Sequence, residues 1–62
     1  MHTLDIGDNS VEVVFTSNGE TVRLFTLERS RMRVALALVN YLNGGAGGEL
    51  FWEIQPEEVV VY

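Results

Sequence analysis

Two alternating stretches flank Asn18-Gly19: Val11, Val13 and Phe15 before it, Val22, Leu24 and Thr26 after it. Period-two alternation marks strands with one buried face. Asn-Gly supplies the two positive-φ positions of a type I′ turn. The pattern predicts a hairpin over about residues 10–26, pairing Phe15 with Val22, Val13 with Leu24 and Val11 with Thr26. Glu12, Val14, Thr16, Thr21, Arg23 and Phe25 then fall on the opposite face. Ahead of the hairpin, Leu4 and Ile6 alternate with Thr3 and Asp5 before a Gly7-Asp8-Asn9 break. A short N-terminal edge strand is expected there, at about 2–6.

After the hairpin the period changes. Residues from about Leu27 to Asn43 are helix formers, with Thr26 or Ser30 as N-cap and Gly44 as the C-terminal stop. Apolar side chains from Met32 to Leu42 cover an arc of roughly 220° on a helical wheel at ~100° per residue. Only Arg29, Arg33, Ala37 and Asn40 make a solvent stripe, so the helix is expected to be covered on more than one side. Gly44 to Gly48 then forms a glycine-rich connecting loop. Glu49 to Ile54 has the composition of a strand, Gln55-Pro56-Glu57-Glu58 that of a turn, and Val59 to Tyr62 that of a second strand. A second hairpin over about 49–62 would place Ile54 opposite Val59 and Trp52 opposite Val61. The predicted fold is a single α+β domain over 1–62, in ββαββ order. One helix packs on a small, mainly antiparallel sheet.

Composition narrows the function classes. The chain has 62 residues, 47% hydrophobic and 21% charged, without a cysteine. That excludes a disulfide framework, a thiolate nucleophile and a thiolate zinc site. It also points to a reducing, cytoplasmic setting, since exported domains of this size are usually stapled. The first fifteen residues have neither a positively charged start nor a long apolar stretch, so no export signal is expected. The longest apolar run, Val34 to Val39, is far below the ~20 residues that span a bilayer, so no membrane insertion is expected. The net charge of −5 opposes general affinity for nucleic acid or anionic lipid.

Hydrophobicity left over after folding is the next signal. With both hairpins in one sheet, Val14, Phe25, Phe51, Val60 and Tyr62 would share the face away from the helix. Monomeric proteins rarely expose a large contiguous apolar patch, and a domain this small has little core to spare. Both points predict a homodimer or a docked partner protein.

The charges are segregated. Arg23, Arg29, Arg31 and Arg33 fall between positions 23 and 33 with Glu28 as the sole acid among them, and every other charged residue is acidic. Such a cluster could bind phosphate, nucleic acid or an acidic protein surface; internal pairing with glutamates is the plainer expectation. Glu49, Glu53, Glu57 and Glu58 support the opposite use, an ordered carboxylate surface that enters a basic groove. Small acidic inhibitors from phages and mobile elements, of the anti-CRISPR type, work in this way. Solubility alone would also account for the acids.

No catalytic equipment is apparent. The glycine run follows a helix rather than preceding one, and the chain has no lysine for a phosphate loop. His2 is the sole histidine, so no metal or cofactor site is expected. Glu57 and Glu58 have nothing to set them as an acid–base pair, and Trp52 is expected in the core. The leading expectation is a small acidic, non-enzymatic interaction module or inhibitor that occludes a basic surface of a partner protein. The alternatives are a homodimeric regulator that binds nucleic acid through Arg29, Arg31 and Arg33, and a structural subunit of a larger assembly.

Overall fold

A computed structural model describes all 62 residues. The chain is α+β: strands β1 (His2–Ile6), β2 (Ser10–Ser17) and β3 (Glu20–Glu28) form an antiparallel three-stranded meander in the order β1-β2-β3. A short 3₁₀ segment, Arg29–Arg31, leads into helix α1 (Met32–Leu42), which packs on the sheet. The expected N-terminal edge strand is present as β1. At the tip of the β2–β3 hairpin, Asn18 has φ 52° and Gly19 φ 81°, the left-handed pair that a type I′ turn requires.

The hairpin register departs from simple alternation. Phe15 faces Val22 as expected and Val14 faces Arg23, but Val13 then faces Phe25, leaving Leu24 as an extra residue in β3. This β-bulge puts Val11 opposite Leu27 and Glu12 opposite Thr26. The physical reason lies in what each register would bury. Strict alternation would have turned Thr26 inward and left Phe25 and Leu27 outside. The one-residue shift puts both on the Val11/Val13 side, where burying a leucine contributes roughly 1.5–3 kcal/mol. Val11, Val13 and Leu27 form the core with Ala35 of α1, and Phe25, Leu4 and Ile54 pack against it. Thr26, on the outside, donates its hydroxyl to Glu12 Oε2 at 3.3 Å.

The bulge also removes the apolar patch expected on the open sheet face. Phe25 has joined the core side, and Val14 is only 5% exposed, flanked in register by Thr3 and Arg23.

β3 continues through Glu28, so α1 begins at Met32 rather than near Leu27. Thr26 remains in the strand, and Arg31 occupies the N-cap without a side-chain cap bond. The stop is as expected: after the C-cap Asn43, Gly44 has φ 99° and donates its N–H to Tyr41 O at 2.9 Å. Asn43 also ties the helix end to β1. Its Oδ1 accepts from His2 N at 2.9 Å, and its Nδ2 donates to His2 O at 2.8 Å. Ala35 and Leu38 are fully buried, whereas Leu36 stays 58% exposed, so the wide apolar arc of α1 is covered only in part.

The second hairpin, expected at 49–62, does not form. Gly48–Glu53 is a 3₁₀ helix, Pro56–Glu58 a second 3₁₀ turn, and Val59 makes an isolated antiparallel bridge to Phe25. Val60 N donates to Leu24 O at 3.0 Å, so the C-terminal residues pair with β3 instead of with residues 49–54. Two local causes are visible. Pro56 sits inside the first turn behind the N-cap Gln55, closed by a capping box with Glu58. Upstream, the 3₁₀ repeat of three residues per turn aligns Gly48 with Phe51 against α1. The Phe51 ring stands edge-on to Tyr41 at 5.5 Å and to Phe25 at 6.2 Å. A Cβ at Gly48 would lie 2.7 Å from Tyr41 Cε1, so any larger residue there would have to displace that ring.

Candidate partner-binding surface

The charged residues are used unequally. Arg31, at the start of α1, places its guanidinium against the Pro56–Glu58 turn. Its Nε donates to Glu58 Oε2 at 2.7 Å, and its Nη2 donates to Glu58 Oε1 at 3.2 Å and to the Glu53 carbonyl at 2.6 Å. Gln55 N also donates to Glu58 Oε1, at 2.7 Å. Glu58 is 7% exposed as a result. A fork-to-fork pair of this kind is directional and strong. Arg31 and Glu58 are therefore a clamp holding the C-terminal segment to the helix start, and the charge of each is already paired.

Arg23 pairs with Glu12, Nη1 to Oε2 at 3.3 Å, and Arg29 Nη1 donates to the Gly7 carbonyl at 3.3 Å. Arg33 makes no hydrogen bond or ion pair. It lines an open groove of about 470 Å³ together with Val34, Leu50 and Glu53, which continues past Leu36 and Asn40. The four arginines thus do not present one basic face: Arg31 and Arg33 share the groove, with Arg31 already committed.

Of the four glutamates expected on a partner surface, Glu58 is internal. Glu49, Glu53 and Glu57 are exposed and have no ion-pair partner. The 3₁₀ repeat puts Leu50 and Glu53 toward the groove, Gly48 and Phe51 on Tyr41, and Glu49 and Trp52 on the remaining side. Trp52 is 91% exposed rather than in the core. The expected core position presumes a strand, and the sequence of residues 49–54 carries no local signal that separates a strand from this 3₁₀ helix. The members of the expected apolar patch are dispersed. Val14 and Phe25 are on opposite faces of β2–β3, Phe51 lies on α1, and Val60 and Tyr62 follow the β3 edge. The Tyr62 ring is 82% exposed, but its hydroxyl is fixed, accepting from Arg23 N at 2.9 Å and donating to Arg23 O at 2.6 Å.

No group of three or more His, Cys, Asp or Glu side chains is gathered to hold a metal ion, and no helix is long and apolar enough to cross a membrane. Compared with protein-family models, characterised proteins and solved structures, the chain matches none.

Proposed function

We propose that this protein is a small acidic, non-enzymatic interaction module that binds a partner protein and occludes a basic surface, as inhibitors of the anti-CRISPR type do. The observation that carries this reading is the partition of charge. Arg23 and Arg31 are each paired with a glutamate, whereas Glu49, Glu53 and Glu57 stand exposed and unpaired in one C-terminal stretch. Unpaired carboxylates of that kind steer association with a cationic partner. The commitment of Arg31 to Glu58 weighs against the nucleic-acid reading, which needed Arg29, Arg31 and Arg33 together. The absence of cysteine supports a cytoplasmic site of action.

Affinity capture from the native host, with mass spectrometry of the bound proteins, tests the proposal. A reproducible partner should be retained by an Arg29→Gln/Arg33→Gln variant and lost by Glu49→Gln/Glu53→Gln/Glu57→Gln. The reverse pattern, or no reproducible partner, would refute the module. Self-association is a second reading, supported by the small core and by the bare Leu36 and Val61 side chains. Sedimentation equilibrium at micromolar concentration decides it, a clean monomer removing the dimer.

A further inference from the structure

We propose that Trp52 is the anchor of this interface and receives an arginine or lysine side chain of the partner against its indole face, with Glu49 beside it. The inference rests on the reading of the chain as an acidic interaction module. Tryptophan is among the side chains whose burial at an interface contributes most, yet here it is almost fully in solvent. Its exposure follows from the local geometry. The three-residue repeat that seats Gly48 and Phe51 on Tyr41 turns Trp52 away from α1.

The backbone that presents it is held on both sides. Leu50 N donates to Gly47 O at 3.0 Å, Ile54 N donates to Phe51 O at 3.2 Å, and Arg31 grips the carbonyl of Glu53. A side chain displayed on a fixed backbone loses little conformational freedom on binding.

Charge selects the occupant. Glu49 lies on the same side of the 3₁₀ helix as Trp52 and has no ion-pair partner in its own chain, whereas Glu53 faces the groove that Arg31 and Arg33 line. The unpaired Arg33 is on the other side from Trp52 and Glu49, in the groove beside Leu50 and Glu53. A second copy would bring two such carboxylates and two net charges of −5 together, and a nucleic acid would meet the same repulsion. A neutral apolar segment would desolvate the Glu49 carboxylate without pairing it. A guanidinium or ammonium satisfies both parts, stacking on the indole while its charge faces the Glu49 carboxylate.

The chain has one tryptophan, so intrinsic fluorescence reports on this site directly. Titration with a nona-arginine peptide should quench and shift the emission, whereas an oligo-dT strand should not. By calorimetry, Trp52→Leu should weaken nona-arginine binding by about tenfold and Trp52→Phe by less, following cation–π strength. Both variants should keep the parent circular dichroism and melting curve, since the side chain supports nothing internal. Unchanged affinity in Trp52→Leu, with affinity lost in Glu49→Gln/Glu53→Gln/Glu57→Gln, would overturn the anchor and leave the acidic module standing. Absence of nona-arginine binding would also overturn the anchor, while the capture experiment decides the module separately. Emission that responds to oligo-dT alone, or to protein concentration alone, would assign the site to nucleic acid or to a second copy and overturn the proposal.

Discussion

Residues 2–42 and residues 43–62 are held together by different physics. In the first region, alternating and helical apolar positions converge on Val11, Val13, Leu27, Ala35 and Leu38, all essentially sealed from water. In the second, the single buried residue is Glu58. Beyond the partly buried contacts of Phe51 and Ile54, that region is fastened by directional polar contacts: Asn43 to His2, Arg31 to Glu58 and Glu53, Val60 to Leu24, and Tyr62 to Arg23. Apolar burial is shared among many atoms and fails cooperatively. A few polar fasteners fail one at a time, so the C-terminal segment forms a unit of lower opening free energy on a more robust base.

Three substitutions probe that contrast. Leu38→Ala should have the largest effect, removing about 2–5 kcal/mol, and should unfold both regions together. Urea denaturation followed by far-ultraviolet circular dichroism reads this as a drop in midpoint; a midpoint close to that of the parent would show that the helix–sheet core is not the base. Glu58→Ala removes the carboxylate that accepts from both Arg31 and Gln55 and should cost the C-terminal segment about 2–3 kcal/mol. Amide exchange should accelerate at Val60 while Val13 and Leu27 remain protected. Equal acceleration at all three would make the two regions one cooperative unit. Tyr62→Phe should be mildest, at about 1 kcal/mol, with faster exchange confined to the Arg23 amide and its neighbours.

The same division governs what was legible in the sequence. Asn18-Gly19, the strand alternation, the helix and its Gly44 stop are short-range signals, and each is found in the fold. The bulge at Leu24 was not legible. Leu24 and Phe25 are adjacent apolar residues, and the choice between Thr26 and Leu27 for the core depends on the whole sheet packing against α1. Residues 49–62 were misread because Leu-Phe-Trp-Glu-Ile has strand composition. Its spacing fits a 3₁₀ helix equally well, and the Gln55…Glu58 capping box is the local signature that decides the turn. The pairing of Arg31 with Glu58 joins positions far apart in the chain and has no local mark. For the candidate site, Glu49, Glu53 and Glu57 could be read as exposed acids, but the outward Trp52 follows only once its helix type is known.

Asn43 and Tyr62 have a consequence for the behaviour of the molecule at high concentration. Each spends a side chain on outward backbone groups of a boundary strand, at His2 in β1 and at Arg23 in β3. An incoming strand needs an uninterrupted row of free N–H and C=O groups to template on, and here both rims are interrupted. Val59 to Tyr62, the stretch best suited to cross-β stacking, is parked along β3 instead of hanging free. With both rims stoppered, the sheet offers an incoming strand no continuous edge to extend, however concentrated the chain becomes.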